Sequence, residues 1–243
     1  MIKPYYSDEW VTLYLGDCRA LMPDLPLKAI DLVLTDPPYP DAHLEYGNSD
    51  ISFLSDIPCR QLIFWSAKTD FPFNDYTAIH IWDKQCGCGS MYERLFERNG
   101  QKNWRVLHAN VMNSTMAASY GSDVFYGHPS QKPQRLISKL VAECSNPGDL
   151  IFDPFSGVGT TAWCAKKLGR RCIGIEINEK WIEKSAKRCS QTVMNFVTDN
   201  VTDNRRCQIC KTLLTNKRRD AVTCSDRCRQ ALKRLQVRVA GGQ

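Results

Sequence analysis

Four consecutive residues, Asp36-Pro37-Pro38-Tyr39, carry groups that could hold a planar heteroaromatic amine. They follow an apolar run at 29–35, rich in branched residues, which predicts a buried strand that ends just before them. Two successive prolines stop the strand and stiffen the backbone, so the Asp36 carboxylate and the Pro37 carbonyl become fixed acceptors. Tyr39 adds an aromatic face. The arrangement suits a nucleobase removed from its stack, although Asp-Pro-Pro is also an ordinary turn at the end of a strand.

A second group of residues, in the carboxyl-terminal half, has the pattern of a nucleotide site. The strand predicted at 150–153 leads into a glycine turn at 154–161 and then into a helix that ends at Gly169. Glycines in such a turn let the backbone approach a ligand closely. Glu176 ends the next strand, where an acidic residue can bind ribose hydroxyls. The turn lacks the third glycine of a dinucleotide site, and no P-loop lysine follows it, so the pattern favours S-adenosylmethionine.

Other segments would position these two groups. Apolar alternation predicts further strands at 11–15, 61–65, 78–82 and 171–175. Asp17 follows the first of these strands, where it could cap a helix or bind a ligand. Pro133 begins a predicted helix with an apolar face. We also predict a short helix at 91–98, which would place Arg94 and Arg98 on one face, either in contact with phosphates or simply solvated.

Composition narrows the class of protein. The chain has 243 residues, 43% of them hydrophobic, which is enough for one large domain and a small appendage. Its apolar runs have only the length of strands, so we expect no membrane span, and the polar start does not resemble a secretory signal. The twelve cysteines are scattered except for four near the end, unlike a disulfide framework. We therefore expect a cytoplasmic protein. Cys86-Gly87-Cys88-Gly89 is too tight for a zinc knuckle and is interpreted as a turn.

The last four cysteines form two pairs, Cys207 with Cys210 and Cys224 with Cys228, separated by thirteen residues. This spacing predicts a structural zinc ion bound by four thiolates. Residues 201–243 contain eleven basic and three acidic side chains, a net charge of +8, and because the whole chain carries +6 the first 200 residues carry −2. Such a positive tail favours a polyanionic partner, although the zinc could serve only to fold the module. The predicted DNA contacts in the tail are Lys217, Arg218, Arg219, Arg227, Lys233 and Arg234.

The chain resembles the amino-methyltransferases that act on DNA, in their permuted (beta) group. The order of three segments carries the resemblance: Asp-Pro-Pro-Tyr at 36–39, His-Pro-Ser-Gln-Lys-Pro at 128–133, and Phe-x-Gly-x-Gly at 155–159. The resemblance implies an α/β fold with a doubly wound, seven-stranded, Rossmann-like methyltransferase sheet. It also implies a methyltransferase domain at 1–193, followed by a linker at 194–204. The segment at 205–243 resembles a treble-clef zinc finger with four cysteine ligands and a basic helix.

The resemblance further implies an activity and a set of residues. The chain would transfer a methyl group from S-adenosylmethionine to the N6 amine of a flipped adenine in DNA, without a cysteine nucleophile. The implied catalytic residues are Asp36, Pro37, Pro38 and Tyr39. Glu176 would bind the ribose, Asp17 the adenine amine, and Ser130 with Lys132 the methionine end. The implied cofactor residues are Asp17, Ser130, Lys132, Asp153, Phe155, Ser156, Gly157, Gly159, Thr160 and Glu176.

Alternatives to this activity stay open. In the family, Asp-Pro-Pro-Tyr leans toward adenine and Ser-Pro-Pro-Tyr toward cytosine, so transfer to cytosine N4 is the second choice. A non-catalytic DNA-binding protein could retain the same scaffold, and an enzyme of this fold could act on RNA or on a protein amide. DNA is the expected partner, no membrane is expected, and a homodimer is an open alternative. The expected setting is DNA methylation of the restriction-modification kind.

Overall fold

The computed structural model describes residues 2–41, 50–84, 91–102, 104–109 and 124–191. Within them lie nine strands and four α-helices, with three short 3-10 helices at Met22–Asp24, Leu27–Ala29 and Ser52–Asp56. The strands are β1 (Tyr6–Ser7), β2 (Val11–Leu15), β3 (Leu32–Thr35), β4 (Arg60–Trp65), β5 (Tyr76–Asp83), β6 (Tyr92–Arg98), β7 (Val106–His108), β8 (Leu150–Asp153) and β9 (Arg171–Glu176). The helices are α1 (Cys18–Leu21), α2 (Gln134–Cys144), α3 (Thr160–Lys167) and α4 (Glu179–Ser190).

All nine described strands form one mixed sheet in the order β1-β2-β9-β8-β3-β4-β6-β5-β7. The strands from β2 to β4 in this order are mutually parallel. In contrast, β6 runs antiparallel to both of its neighbours, β4 and β5. The predicted α/β class is confirmed. The described sheet has nine strands where the resemblance implied seven, with the short strands β1 and β7 at its two edges.

The central strands are buried on both faces, which explains their nearly continuous apolar sequences. Leu32 and Leu34 of β3 contribute to one hydrophobic core, which the helices α2, α3 and α4 also build. Val33, between them, points to the opposite face and packs in a second core with residues of α1 and the 3-10 helices. The sheet is therefore covered by α2, α3 and α4 on one face and by α1 with the 3-10 helices on the other.

The predicted helix at 91–98 is wrong, because Tyr92–Arg98 is strand β6. Its charged residues had suggested a solvated helix, but they are paired inside the sheet. Glu97 is almost fully buried and forms an ion pair with Arg60 at 2.7 Å. The other Glu97 oxygen lies 2.7 Å from His80 Nε2. Burial of a charge is tolerated when it is paired in this way, and pairing with two neighbouring strands overrides the local pattern.

Several predictions concern residues outside the described part of the chain. They are the linker at 194–204, the zinc finger at 205–243 with all of its proposed cysteines and basic residues, and the turn at 86–89. In the ranges that the structure does describe, no helix combines the length and apolarity that a membrane span requires.

Candidate active site

A cavity of about 350 Å³ opens beside the carboxyl ends of β2, β3, β8 and β9. Ligands of open α/β sheets bind at this edge, and the volume is in the range of small-molecule sites. The first residues after each of these strands line the cavity, together with the segment at 128–132. The predicted catalytic and cofactor residues that line it are Asp17, Asp36, Pro37, Pro38, Tyr39, Ser130, Lys132, Asp153, Phe155, Ser156, Gly157, Thr160 and Glu176.

Gly159, the remaining predicted cofactor residue, is not among the lining residues. Its backbone has a φ of +69°, and a Cβ placed there would lie 2.0 Å from Ser185 Oγ and 2.9 Å from Ser185 Cβ. The absence of a side chain therefore lets the start of α3 pack against α4. We therefore propose a packing role for Gly159, and its predicted cofactor contact stays a prediction.

The carboxylate of Asp36 is held by two neighbours. Tyr39 donates its hydroxyl to Asp36 Oδ1, and the ammonium of Lys132 donates to Asp36 Oδ2. Lys132 Nζ also lies 3.3 Å from Glu93 Oε2. Lys132, predicted to bind the methionine end of a cofactor, thus binds the predicted catalytic carboxylate in this structure. Glu93 was missed by sequence reasoning, because it lay in the segment that was predicted to be a surface helix.

Burial and charge set the protonation of this cluster. Burial raises the pKa of Asp36; the Lys132 charge opposes the rise and Glu93 adds to it, and the net direction is upward. Burial also opposes the charge of Lys132, but attraction to both carboxylates outweighs it and raises its pKa. Burial raises the pKa of Glu93, and the charges of Lys132 and Lys84 outweigh that effect and lower it. Burial thus makes the Asp36 carboxylate more basic than an ordinary aspartate.

Two further acids lie at the ends of neighbouring strands. Asp153, at the end of β8, accepts a hydrogen bond from Thr35 Oγ1 at 2.8 Å. Burial raises the pKa of Asp153 to about 6. Glu176, at the end of β9, accepts from the backbone N–H of Gly157 at 2.8 Å and of Asn178 at 2.9 Å. Burial raises the pKa of Glu176 as well, against these two hydrogen bonds. Glu176 thereby fixes the glycine turn beside the cavity.

The remaining polar residues of the cavity wall differ in exposure and in how many hydrogen-bond partners they have within the protein. Asp17 caps α1 by accepting a hydrogen bond from the backbone N–H of Arg19 at 2.9 Å, and it forms an ion pair with the Arg19 side chain at 2.6 Å. The capping alternative is thus observed, with the carboxylate at the cavity wall. Ser130 is exposed. Ser156 Oγ is buried and has no hydrogen-bond partner within the described ranges, so it retains capacity for a ligand.

His128 and Trp181 also line the cavity and were not among the predicted site residues. The backbone N–H of Ser130 donates to His128 Nδ1 at 3.2 Å, which leaves the ring proton on Nε2 when the imidazole is neutral. Burial lowers the pKa of His128 to about 4, so the ring is neutral near pH 7. It meets the Trp181 ring edge to face, with centroids 4.8 Å apart. His128 stood in a segment singled out from the sequence, but nothing in the sequence marked Trp181, which lies in α4.

Arg98 is buried and Arg94 is half-buried, and both side chains bind protein groups. The Arg94 guanidinium donates to the carbonyl of Ser66 at 2.6 and 3.0 Å. Arg98 is only 4% exposed and binds Asp75 at 2.7 Å and the Gln61 side chain at 2.9 Å. Because Arg98 is buried and its guanidinium is bound by protein groups, we assign it a structural role in place of the predicted DNA contact. The predicted DNA contact of Arg94 stays a prediction.

Comparison with known proteins places this geometry in a family. A family model described as DNA methylase matches residues 60–188. The Type II methyltransferase M.HinfI of Haemophilus influenzae is 44% identical, over 80% of this chain and 72% of its own length. The DNA adenine methyltransferase YhdJ of Escherichia coli K12 is 25% identical, over 75% of this chain and 84% of its own.

Solved structures agree in fold. The cytosine-N4-specific PvuII DNA methyltransferase superposes with a TM-score of 0.57 at 18% identity, over 83% of this chain and 93% of its own. The M1.HpyAVI–SAM complex superposes with a TM-score of 0.51 at 22% identity, over 73% of this chain and 99% of its own. With the family model matching more than half of its residues, this chain belongs to the DNA methylase family of N6-adenine and N4-cytosine methyltransferases.

Proposed function

We propose that this chain transfers a methyl group from S-adenosylmethionine to the N6 amine of an adenine flipped out of DNA. The observation that carries the proposal is that Asp36 and Tyr39 line the same cavity as Gly157 and Glu176. A base amine held at Asp36 would therefore face a donor bound along the glycine turn. The polymer, DNA, follows from membership in the family.

The cavity wall fits S-adenosylmethionine. The Glu176 carboxylate accepts backbone N–H groups at both oxygens, and its about four lone-pair sites leave capacity for a ribose hydroxyl. Ser156 Oγ, unpaired within the part of the chain that the structure describes, can bond a polar group of the ligand. Gly157 has a φ of +51° and leaves the space in front of His128 open, since a Cβ would lie 3.4 Å from His128 Nε2. M1.HpyAVI, which has a related fold, was solved as a complex with this compound.

The chemistry requires that a poor nucleophile be activated. S-adenosylmethionine supplies a methyl group bonded to a sulfonium. The Asp36 carboxylate and the Pro37 carbonyl would accept the two amine hydrogens, which turns the nitrogen lone pair out of the ring and toward the methyl group. The N–C bond forms as the C–S bond breaks, and the sulfur keeps the electron pair. The methylated nitrogen then loses one proton, and Asp36, made more basic by burial, can accept it.

Tyr39 is placed to support the flipped base. Its ring packs against Trp65, with centroids 5.7 Å apart and planes tilted by 59°. A base that stacks on the Tyr39 ring would recover part of the unstacking cost, which is roughly a few kcal/mol. Packing against Trp65 fixes the ring in advance, so little side-chain entropy is lost when the base binds.

Adenine is preferred because an aspartate, not a serine, stands at position 36. The relative YhdJ, which is named as a DNA adenine methyltransferase, supports this choice. Cytosine N4 is the second candidate, because the PvuII enzyme of similar fold is cytosine-N4-specific. Both amines present two hydrogens and a delocalised lone pair, so the same residues would serve either base.

The test is methylation of DNA followed by identification of the product. The protein is incubated with labelled S-adenosylmethionine and DNA of mixed sequence, and the digested nucleosides are analysed by mass spectrometry. We expect N6-methyladenine as the product. Detection of N4-methylcytosine would instead identify cytosine N4 as the target. Transfer of no label to DNA, by protein shown to bind the cofactor, would refute the proposal.

Asp36→Asn provides the sharpest variant for this assay. It keeps the size of the side chain but turns one acceptor oxygen into a donor, so we expect at least about a 100-fold loss of rate with cofactor affinity retained. Asp56→Asn is the matched control, because Asp56 is exposed and precedes β4, far from the carboxyl end of that strand. Equal rates for the two variants would contradict the catalytic role of Asp36.

For the tail, we propose one structural zinc ion bound by Cys207, Cys210, Cys224 and Cys228, in a module that contacts DNA phosphates. Elemental analysis should find one zinc per chain, lost in Cys207→Ser. Removal of residues 201–243 should weaken DNA binding and reduce its salt dependence, since fewer counterions are released. An unchanged salt slope would leave the tail a folding or protein-binding element. A cytoplasmic location and a part in restriction-modification, as the Type II relative suggests, belong to the same proposal.

A further inference from the structure

Glu93 contacts both groups that hold Asp36. Tyr39 Oη lies 3.1 Å from Glu93 Oε2, and Lys132 Nζ lies 3.3 Å from the same oxygen. The other Glu93 oxygen, Oε1, pairs with Lys84 Nζ at 2.6 Å. Glu93 and Asp36 thus share one ammonium and one hydroxyl as partners. Movement of Glu93 would remove one partner from each neighbour of Asp36.

The direction of β6 brings Glu93 to this place. In the antiparallel pair of β4 and β6, Trp65 faces Arg94, so the start of β6 lies at the carboxyl end of β4. Trp82 of β5 faces Glu93, and Lys84 follows directly after the end of β5. Glu93 and Lys84 therefore reach the edge of the sheet on which the cavity opens.

Lys132 has few alternative positions. It is 7% exposed, and its Nζ lies 5.1 to 5.8 Å from the ring centroids of Tyr39, Phe64 and Trp82. Aromatic faces attract an ammonium but do not fix the direction of its N–H groups. Two carboxylates, Asp36 and Glu93, fix that direction. Because a buried charge requires partners, loss of Glu93 would leave Lys132 with one fewer and shift it relative to Asp36.

We propose that Glu93 is a positioning residue for methyl transfer, which orients the Asp36 carboxylate through Lys132 and Tyr39. The inference rests on the proposed function. Each Asp36 oxygen accepts from one of these two neighbours and keeps a lone pair for the amine of the base. Glu93 is not among the residues that line the cavity, so we expect its effect in the rate of transfer and not in cofactor affinity.

Because the groups around Asp36 are charged, the positioning role predicts specific shifts in the pH dependence of the methyl-transfer rate. The groups that face Glu93 are Lys84 directly after β5, Lys132 from the segment before α2, and Tyr39 close to Asp36. Glu93→Gln removes a negative charge near Asp36, which makes the Asp36 carboxylate easier to ionise. The acid limb of the rate profile should then move to lower pH. Lys84→Met removes a positive charge and keeps Glu93, so the acid limb should move to higher pH.

The experiment is single-turnover methylation of DNA by the full chain at pH 5 to 9, together with calorimetric binding of S-adenosylmethionine. Glu93→Gln should lower the plateau rate about 10- to 100-fold, because a small misplacement of a reacting group has this effect, and cofactor affinity should change less than about twofold. Glu143→Gln is the control, because Glu143 is partly exposed on α2, where it pairs with Arg105, and it does not line the cavity. Circular dichroism checks that each variant is folded.

The outcomes separate this inference from the proposed function. If the unaltered chain methylates no DNA, the proposed function fails. If it is active and Glu93→Gln retains its plateau rate and acid limb, the positioning role is overturned. A second outcome would also overturn the positioning role: Glu93→Gln is slow, but its acid limb does not move in the direction opposite to that of Lys84→Met. Such a result would indicate a merely structural defect. Should Glu93→Gln not fold, an unshifted acid limb in Lys84→Met overturns the proposal by itself.

Discussion

Gly159→Ala tests the packing role that the structure gives to this glycine. The added Cβ would lie 2.0 Å from Ser185 Oγ and 2.9 Å from Ser185 Cβ, distances at which something must shift. The Ser185 backbone is close as well, with its Cα 3.3 Å from the added atom, so rotation of the hydroxyl alone does not relieve the overlap. The substitution also places a side chain on a residue whose φ is +69°. Both effects act on the junction of α3 with α4.

The two effects can be separated in size. A non-glycine residue in the left-handed region costs about 1 kcal/mol, and overpacking a buried contact costs about 1 to 3 kcal/mol. Gly169 supplies the matched control, because it has nearly the same φ, +70°, and a Cβ there would meet nothing within 4 Å. We therefore expect Gly169→Ala to lower the free energy of unfolding by about 1 kcal/mol, and Gly159→Ala to lower it by about 2 to 4 kcal/mol.

Urea unfolding of both variants and of the unaltered chain measures these free energies. The difference between the two alanine variants isolates the contact with Ser185, because the backbone contribution is common to both. Ser185→Gly, combined with Gly159→Ala, should recover part of the loss because it removes the atoms that overlap. The packing role would be refuted if both alanine variants lowered the free energy of unfolding equally. A large loss of cofactor affinity in Gly159→Ala alone would then favour the predicted cofactor contact of Gly159.

Two further predictions follow from the contacts of Lys132 and Asp153. Lys132→Met should slow methyl transfer while leaving S-adenosylmethionine affinity, measured by calorimetry, within about threefold, because Lys132 holds Asp36; a large loss of affinity with an unchanged rate would return it to the methionine end. Asp153 has a pKa of about 6 in the fold against an ordinary 3.8, so its contribution to stability is present below about pH 4 and is lost as the pH rises through 6, by up to about 3 kcal/mol. Asp153→Asn should flatten that slope in urea titrations from pH 4 to 7, and an unchanged slope would contradict the raised pKa.

Local sequence sufficed for the parallel half of the sheet. The strands β2, β8 and β9 are short apolar runs bounded by turns, and the predicted boundaries agree with the structure to within about one residue. The cavity edge was also predictable, since Asp36 follows one strand of the parallel sheet and Glu176 ends another. In these segments the local pattern and the final environment agree, because strands buried on both faces need apolar residues throughout.

The partners of charged residues could not be read from the sequence. Lys132 was singled out and lines the cavity, but its contact with Asp36 joins residues 96 positions apart. Asp17 had two interpretations that the chain alone could not separate, and the capping hydrogen bond became visible only with the geometry of α1. A motif marks which residues reach the site. Their hydrogen bonds depend on the packing of distant segments.

The error at β6 and the omission of Glu93 have the same origin. The sequence Tyr-Glu-Arg-Leu-Phe-Glu-Arg places charges at helical spacing, and a solvated helix would have kept Glu93 away from the cavity. In the sheet, Glu97 forms an ion pair with Arg60 and lies within hydrogen-bond distance of His80, so the same charges become compatible with a buried strand. Once β6 is antiparallel to β4, its first residues must lie at the carboxyl end of β4. Glu93 therefore reaches the neighbours of Asp36 because of the direction of a strand, which no local pattern in its own segment encodes.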